Sequence, residues 1–435
     1  METEPLRPAD PVAVIDIGSN SGRVVVYRRD DAGMLRILST TRAPLRLVSD
    51  VDTTHALGPE AVERAIEALR DFDAMARGAG ARRVLAVATA AMRDASNGPD
   101  LIARVQRELG IAIEVIDGAR EAFYGLRGGI SGLPVDNGVF FDVGGGSMQV
   151  TRFRDRRLVR SWSFPLGSLR LSRAFLATDP PTRGEIQALR DHVREVLAAI
   201  GPELLGSGEA LAGTGGTLRN LAKIDRRQRD YPISRVHGYA LDRARLAEVL
   251  SMLAGRKAKR RDEVPGLSGE RGDSVVGGGL AIDVLASQVG APEIIVSGQG
   301  VREGLVQSLF EPEAPAVDTV REASLRSLTS RFAEWNPHTA RERARVAAVL
   351  GNALGVRAER EVGSALARAA RLLDIGRAVD FFERHAHAAR IVLATEVFGF
   401  THREIALTAA VIAAAGDEDE TGRTLAPLVG KDDRA

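Results

Sequence analysis

Two segments of this chain join a carboxylate to a glycine-rich turn. One is Asp16-Ile17-Gly18-Ser19-Asn20-Ser21, at the end of the apolar run Pro11-Val12-Ala13-Val14-Ile15; the other is Asp142-Val143-Gly144-Gly145-Gly146-Ser147. Each sets an apolar stretch before an acid, then residues that tolerate tight turns and leave successive backbone N–H groups open to an anion. Such a turn cradles phosphate. Asp16 and Asp142 are candidate Mg2+ ligands, because hard cations take carboxylate oxygen and keep bridging waters. Gly18, Ser19, Asn20 and Ser21 in one turn, and Gly144, Gly145, Gly146 and Ser147 in the other, are candidate holders of phosphoryl oxygens. A single glycine-rich turn after a strand is often only a hairpin. Two copies in matching context point instead to two half-sites that face each other.

Other segments supply what the turns lack. Asp117-Gly118-Ala119-Arg120-Glu121-Ala122 ends a strand and opens a helix, which puts Glu121 near a helix N-terminus on the cleft side of the first domain. A glutamate there is commonly a dipole partner; here it is also a candidate general base for water in phosphoanhydride hydrolysis, a reaction otherwise governed by positioning and charge neutralisation. The run from Thr89 to Asn97 follows a buried-looking strand, and its Arg93 is a candidate forked donor to phosphate. Ala212-Gly213-Thr214-Gly215-Gly216-Thr217 is a third glycine-rich turn, placed before a helix whose N–H groups attract anions, so Gly215, Gly216 and Thr217 join the candidates. Ser297-Gly298-Gln299-Gly300-Val301-Arg302-Glu303-Gly304 is a fourth. No Gly-x4-Gly-Lys-[Ser/Thr] occurs, which argues against a P-loop.

The elements that must position these groups alternate. Strands are expected over 12–17, 22–27 and 35–41, a helix over 59–77, a strand over 83–88, a helix over 100–109, a strand over 113–116 and a helix from 119. After the break Gly128-Gly129-Ile130-Ser131-Gly132-Leu133-Pro134 the plan repeats. Strands follow over 138–142, 149–154 and 157–165, then a helix over 183–200, a strand over 209–212, helices over 218–224 and 243–253, and a strand over 293–297. Alternation of this kind indicates an α/β layer fold, and open α/β sheets bind ligands at strand ends, where the turns cluster. Glu311-Pro312-Glu313-Ala314-Pro315 reads as a linker, and the remainder is rich in Ala and Arg with helical spacing. The expected domains are 11–128, 129–310 and a helical 316–416, followed by a polar tail over 417–435.

Composition narrows the class. At 435 residues, 44% hydrophobic and 27% charged, the chain fits a soluble protein of two or three domains, at about 150 residues each. A net charge of +1 gives no global steering toward nucleic acid or membrane. The absence of Cys excludes disulfides and thiolate chemistry and agrees with a reducing cytoplasm. Met1-Glu2-Thr3-Glu4-Pro5 lacks the basic and apolar regions of a secretory signal, and no run approaches the ~18 apolar residues of a membrane span.

The ordered segments 16–21, 89–97, 118–122, 142–147, 213–217 and 297–304 together resemble the exopolyphosphatase and guanosine pentaphosphate phosphohydrolase (Ppx/GppA) family over about residues 11–310. The resemblance implies two actin-like domains with ribonuclease H-like cores, of the actin and sugar-kinase superfamily, followed by an all-α HD-like domain. It implies Glu121 as the water-activating carboxylate, Asp16 and Asp142 as acids of a Mg2+ site with K+ as a candidate activator, and Ser19, Asn20, Arg93 and residues 144–147 as phosphate binders. The implied reaction is hydrolysis of the terminal phosphoanhydride of polyphosphate, with guanosine pentaphosphate as the alternative substrate, in a cytoplasmic homodimer that binds neither nucleic acid nor membrane. Two residues depart from the pattern. Arg120 stands where many relatives have an acid, and Gln149 follows Ser147-Met148 where many have Glu.

In the helical region His338 lies where a first HD ligand would fall, but the doublet position reads Leu373-Asp374, with His385 and His387 beyond. Without a His-Asp pair a binuclear site lacks its central ligand, so this domain is expected to pack on a partner subunit or extend the substrate path. Three basic segments, 154–157, 223–229 and 256–261, are candidate walls of a polyanion channel. Only 4% of residues are aromatic, which counts against single-stranded nucleic acid as the polyanion. Other readings of the fold are an ATP-dependent kinase, which needs an acceptor pocket, and a non-catalytic alarmone sensor, encouraged by Arg120 and Gln149.

Overall fold

β1 (Val12–Ile17) is buried along nearly its whole length because it lies inside a sheet, antiparallel to β2 (Ser21–Arg29) and parallel to β4 (Arg83–Ala88). Its side chains serve two cores by turns, as the two-residue period of a strand requires. Ala13, Ile15 and Ile17 pack with Ile66, Leu69 and Phe72, which belong to helix α1 (Pro59–Gly78). Val12 and Val14 face the opposite side, with Leu305 and Val306 from much later in the chain. In this computed structural model residues 6–430 are described, apart from 48–50, 52–53, 202–204, 270, 356–360 and 417–418.

The first lobe continues through β3 (Leu35–Pro44), α2 (Ala90–Asp94), α3 (Gly98–Leu109), β5 (Ile113–Val115) and α4 (Gly118–Ser131). The second contains β6 (Gly138–Val143), β7 (Met148–Arg154), β8 (Arg157–Phe164), α5 (Ser168–Phe175), α6 (Arg183–Leu197), β9 (Ala210–Gly215) and α7 (Gly216–Gln228). It is completed by β10 (Tyr239–Asp242), α8 (Arg243–Ala254), α9 (Ala258–Arg261), α10 (Val275–Gln288), β11 (Glu293–Val296) and α11 (Val301–Ser308). Sheet order is β3-β2-β1-β4-β5 in one lobe and β8-β7-β6-β9-β11-β10 in the other. The plan is therefore repeated, with one added edge strand. Registers repeat as well: β1 and β2 end their pairing at Ile17 and Gly22, β6 and β7 at Val143 and Met148.

Each half has its own sheet, and both fall within one compact unit, Met1–Gln228 with Ala240–Ala316. The reason lies in α4 and α11: α11 comes from the second half of the chain yet buries Leu305 and Val306 in a first-lobe core. The second unit comprises Arg229–Tyr239 and Val317–Ala435. Among its described residues from 317 onward the regular elements are helices: α12 (Val317–Thr329), α13 (Pro337–Ala353), α14 (Val362–Leu372), α15 (Arg384–Ala394), α16 (His402–Ala414) and α17 (Asp419–Thr424), with one 3-10 turn. Its limits differ from the expected 316–416 on both sides. Ile233 is drawn into its core, and so are Leu425 and Val429, so the expected polar tail is structured where apolar side chains recur; 417–418 and 431–435 lie outside the described residues. No helix among the described residues is long and apolar enough to cross a membrane.

Candidate active site

The two acid-turn segments meet. Each turn is closed by the same bond, Gly18 N–H to Ser21 O at 3.2 Å and Gly144 N–H to Ser147 O at 3.0 Å. They also touch each other: a Cβ on Gly145 would stand 3.1 Å from Asn20 Cβ, and one on Gly146 2.8 Å from Ser19 Oγ. Glycine in the second turn is thus a packing requirement. Ion pairs Arg170–Asp94 (3.0 Å) and Arg46–Asp273 (3.5 Å) add contacts between the lobes.

Between the turns lies an open cleft with a cavity volume of about 150 Å3, lined by Asp16, residues 18–21, Glu121, Asp142, residues 144–147, Gly215 and Gly216 among others. Nearly every residue singled out from the sequence is there. Two are not. Thr217 is buried behind its turn, and the guanidinium of Arg93 is engaged elsewhere, donating to Glu121 Oε2 at 3.3 Å and to Ile116 O at 2.7 Å. Arg93 was expected to hold phosphate; the structure sets it to hold the carboxylate of Glu121.

Glu121 sits in the first turn of α4, whose N-cap Asp117 accepts from Arg120 N–H at 2.8 Å. Its side chain is buried, and burial pushes its pKa up to about 8, against the pull of Arg93 and with the help of Asp142 and then Asp16. Asp142 is pushed up to about 6, again by burial first, with Arg219 opposing and Asp16 reinforcing. Burial raises Asp16 too, although Arg302 opposes it from 3.0 Å away.

Sequence reading missed the cations that answer these acids. Arg219, Arg271 and Arg302 line the cleft with Thr89, Thr214 and Gly300. Arg219 is pushed down to about 10 by burial and by Arg302, and its Nη1 donates to Thr214 Oγ1 at 2.9 Å. The Arg271 guanidinium lies where a Cβ on Gly216 would be. Burial alone would lower Arg302, but Glu303 and Asp16 beside it hold it above its ordinary value. Adjacency to a glycine-rich turn was the available signal: Arg219 follows 213–217 closely, and Arg302 lies inside 297–304.

The departures and side regions also find their places. Arg120 turns outward to Glu114 and Tyr124, while Gln149 is buried in the cleft wall and donates through Nε2 to Ser147 Oγ (3.0 Å) and Ser163 Oγ (3.2 Å). Of the basic segments, Arg156 donates to carbonyls of Ile130, Ser131, Leu133 and Val135, and Arg261 to those of Leu253 and Gly272. These two hold backbone rather than lining a channel. Lys223 differs, since its pKa is lowered by burial and by the nearby Arg219. In the helical unit Asp374 is paired with Arg343, and His338 is exposed.

The donor set suits a hard divalent cation. Asp16 is close enough to Asp142 to raise its proton affinity, a charge excess that such an ion would relieve. Among the described residues no group of three or more His, Cys, Asp or Glu closes on one point, so Asp16 and Asp142 would supply only part of such an ion's shell. Mg2+ characteristically takes one or two carboxylates and completes its shell with water and phosphate oxygens.

Paired lobes, each with its own sheet and an acid-bearing turn at one cleft, define a two-lobed α/β fold. The chain belongs to the Ppx/GppA phosphatase family, whose model matches residues 25–313. It is 32% identical over 315 residues to Exopolyphosphatase 2 of Mycobacterium tuberculosis, covering 68% of this chain and 98% of that one. With Exopolyphosphatase 1 of Mycobacterium bovis it shares 28% identity over 319 residues, 72% of this chain and 92% of that one. Among solved structures, an exopolyphosphatase from Cytophaga hutchinsonii superposes with a TM-score of 0.63 at 25% identity, covering 69% of this chain and 98% of that chain. The Aquifex aeolicus member of the Ppx/GppA family gives 0.60 at 26%, covering 69% and 97%. The family match ends at 313, just before the helical unit begins at Val317.

Proposed function

We propose that the chain is an exopolyphosphatase that removes the terminal phosphate of inorganic polyphosphate. The observation that carries this reading is the cleft itself: two phosphate turns in contact, three guanidinium groups and one nearly buried glutamate around about 150 Å3. That is well under the roughly 300–1,000 Å3 of pockets that enclose drug-sized ligands, and it suits a bare phosphoryl tail. The nucleoside of guanosine pentaphosphate would have to remain outside. Relatives named exopolyphosphatases support the same choice.

In this reading the amides and hydroxyls of the turns 18–21 and 144–147 hold the terminal phosphoryl oxygens, and Arg219 and Arg271 neutralise the chain behind them. Arg93 orients Glu121 through Oε2, and the carboxylate takes a proton from a water placed in line with the terminal P–O–P bond. The new P–O bond forms as the bridging bond breaks, giving orthophosphate and a chain one phosphate shorter, whose terminal oxygen takes up a proton. Asp16 and Asp142 would hold Mg2+, which supplies charge neutralisation to the phosphoryl oxygens when bound. The homodimer and the cytoplasmic setting belong to the same proposal.

Phosphate release from long-chain polyphosphate and from guanosine pentaphosphate, each with and without Mg2+, tests it. A higher kcat/KM on polyphosphate, dependent on Mg2+ and on Glu121, is expected. Preference for the nucleotide would shift the reading to the alarmone hydrolase, and tight nucleotide binding with no release to the sensor.

A further inference from the structure

Arg302 reaches into the cleft from the first turn of α11, and its Nη1 donates to Asp16 Oδ2 at 3.0 Å. The pair is largely shielded, with side chains 17% and 24% exposed. Its base is firmly held: the neighbouring Glu303 accepts from Tyr27 Oη and from Gly300 N–H, which ties the start of α11 to β2. At the guanidinium end Glu303, Asp16 and Tyr27 attract the group, while Nε is buried without a hydrogen-bond partner. The second aspartate is treated differently. Its charge partner Arg219 spends Nη1 on Thr214 Oγ1, so a guanidinium lies near Asp142 while one lies directly upon Asp16.

We propose that Arg302 is a displaceable counter-ion for Asp16, occupying that carboxylate while no phosphate is bound and passing to a phosphoryl oxygen when a cation arrives with its phosphate. The inference rests on the reading of Asp16 as a cation ligand. A bare divalent cation that took Asp16 would remove the carboxylate to which a shielded guanidinium donates and leave Glu303 as the acid beside it, a costly loss. A cation–phosphate complex leaves nothing unpaired, because the cation takes the carboxylate and the phosphate takes the guanidinium. Cation and phosphate therefore bind cooperatively, and each raises the affinity for the other by the same factor. Arg302 acts here as a positioning and selectivity residue.

Calorimetric titration of the full chain with Mg2+, alone and with the non-hydrolysed analogue imidodiphosphate, tests this on the unaltered protein and on Arg302→Gln, Arg302→Lys and Asp16→Asn. Arg302→Gln is expected to bind free Mg2+ about tenfold more tightly, the scale of one lost charge competitor, and to lose most of the enhancement by imidodiphosphate. Arg302→Lys, which keeps the charge, is expected to retain weak binding of free Mg2+ and much of the enhancement. Unchanged or weaker binding of free Mg2+ in Arg302→Gln, with Asp16→Asn still impairing Mg2+ binding beside imidodiphosphate, overturns the counter-ion role alone. Should Asp16→Asn leave that binding intact, the reading of Asp16 as a ligand falls, and the counter-ion role with it.

Discussion

The turn after β1 and the turn after β6 share a register and a closing hydrogen bond, yet they present opposite surfaces. Ser19 and Asn20 project side chains, whereas Gly145 and Gly146 offer bare backbone into which those side chains press. The strands beneath differ in the same sense: Asp16 faces Arg23 across its ladder and Asp142 faces Gln149 across the other. Two copies of one scaffold that must touch at their tips cannot both be furnished alike. One lobe supplies side-chain hydroxyl and amide groups with a clamped acid, and the other supplies main-chain N–H groups with an acid opposite a neutral amide.

The largest expected effect lies where both lobes converge. Glu121→Gln should lower kcat by about a thousandfold while the affinity for imidodiphosphate, measured by calorimetry, stays within about threefold; a loss confined to KM would remove the base from the scheme. Next comes the contact between the tips. Gly146→Ala drives a methyl onto Ser19 Oγ and should reduce kcat/KM by about 10- to 100-fold, and Ser19→Ala in the same chain should recover part of the loss, whereas two independent turns would show additive losses.

A smaller shift is expected from Arg93. In the proposed scheme Glu121 acts ionised, so kcat/KM measured at low Mg2+ should rise with pH through about 8. Arg93→Met removes the charge that opposes burial and should carry the profile upward by about one pH unit. The smallest effect concerns stability. The Asp142 pKa is about 6 folded and near 3.9 unfolded, so the folded state binds the extra proton between these values and the protein loses stability as pH rises through that window. Asp142→Asn escapes that penalty. In urea unfolding it should exceed the parent by about 1–3 kcal/mol at pH 7.5 and by little at pH 4.

Much of this was legible beforehand. Strand alternation and glycine-rich turns are local signals, and they located the repeated α/β halves and most of the cleft from Asp16 to Gly216. What escaped reading depends on distant partners. The run Gly277-Gly278-Gly279 conceals the interior of α10, where a Cβ on Gly277 would stand 2.4 Å from Ser172 Oγ and one on Gly279 2.3 Å from Leu250 Cδ2. Close packing there overrides the poor helix propensity of glycine. Arg93 was placed in the right neighbourhood, but its contact with Glu121 was not foreseen, because an arginine's reach does not reveal which anion it meets. The segment Arg229–Tyr239 carries no local mark of the unit that claims it.

Arg127 lies further along the helix whose first turn carries Glu121, and its buried guanidinium gathers the carbonyls of Gln307, Glu311, Pro312 and Glu313. The outgoing polypeptide is thus moored to the element that bears Glu121. Mechanical load on the chain past residue 313 falls on that mooring together with the ion pairs Arg157–Glu313 and Arg29–Glu311, which tie the same segment to β8 and β2.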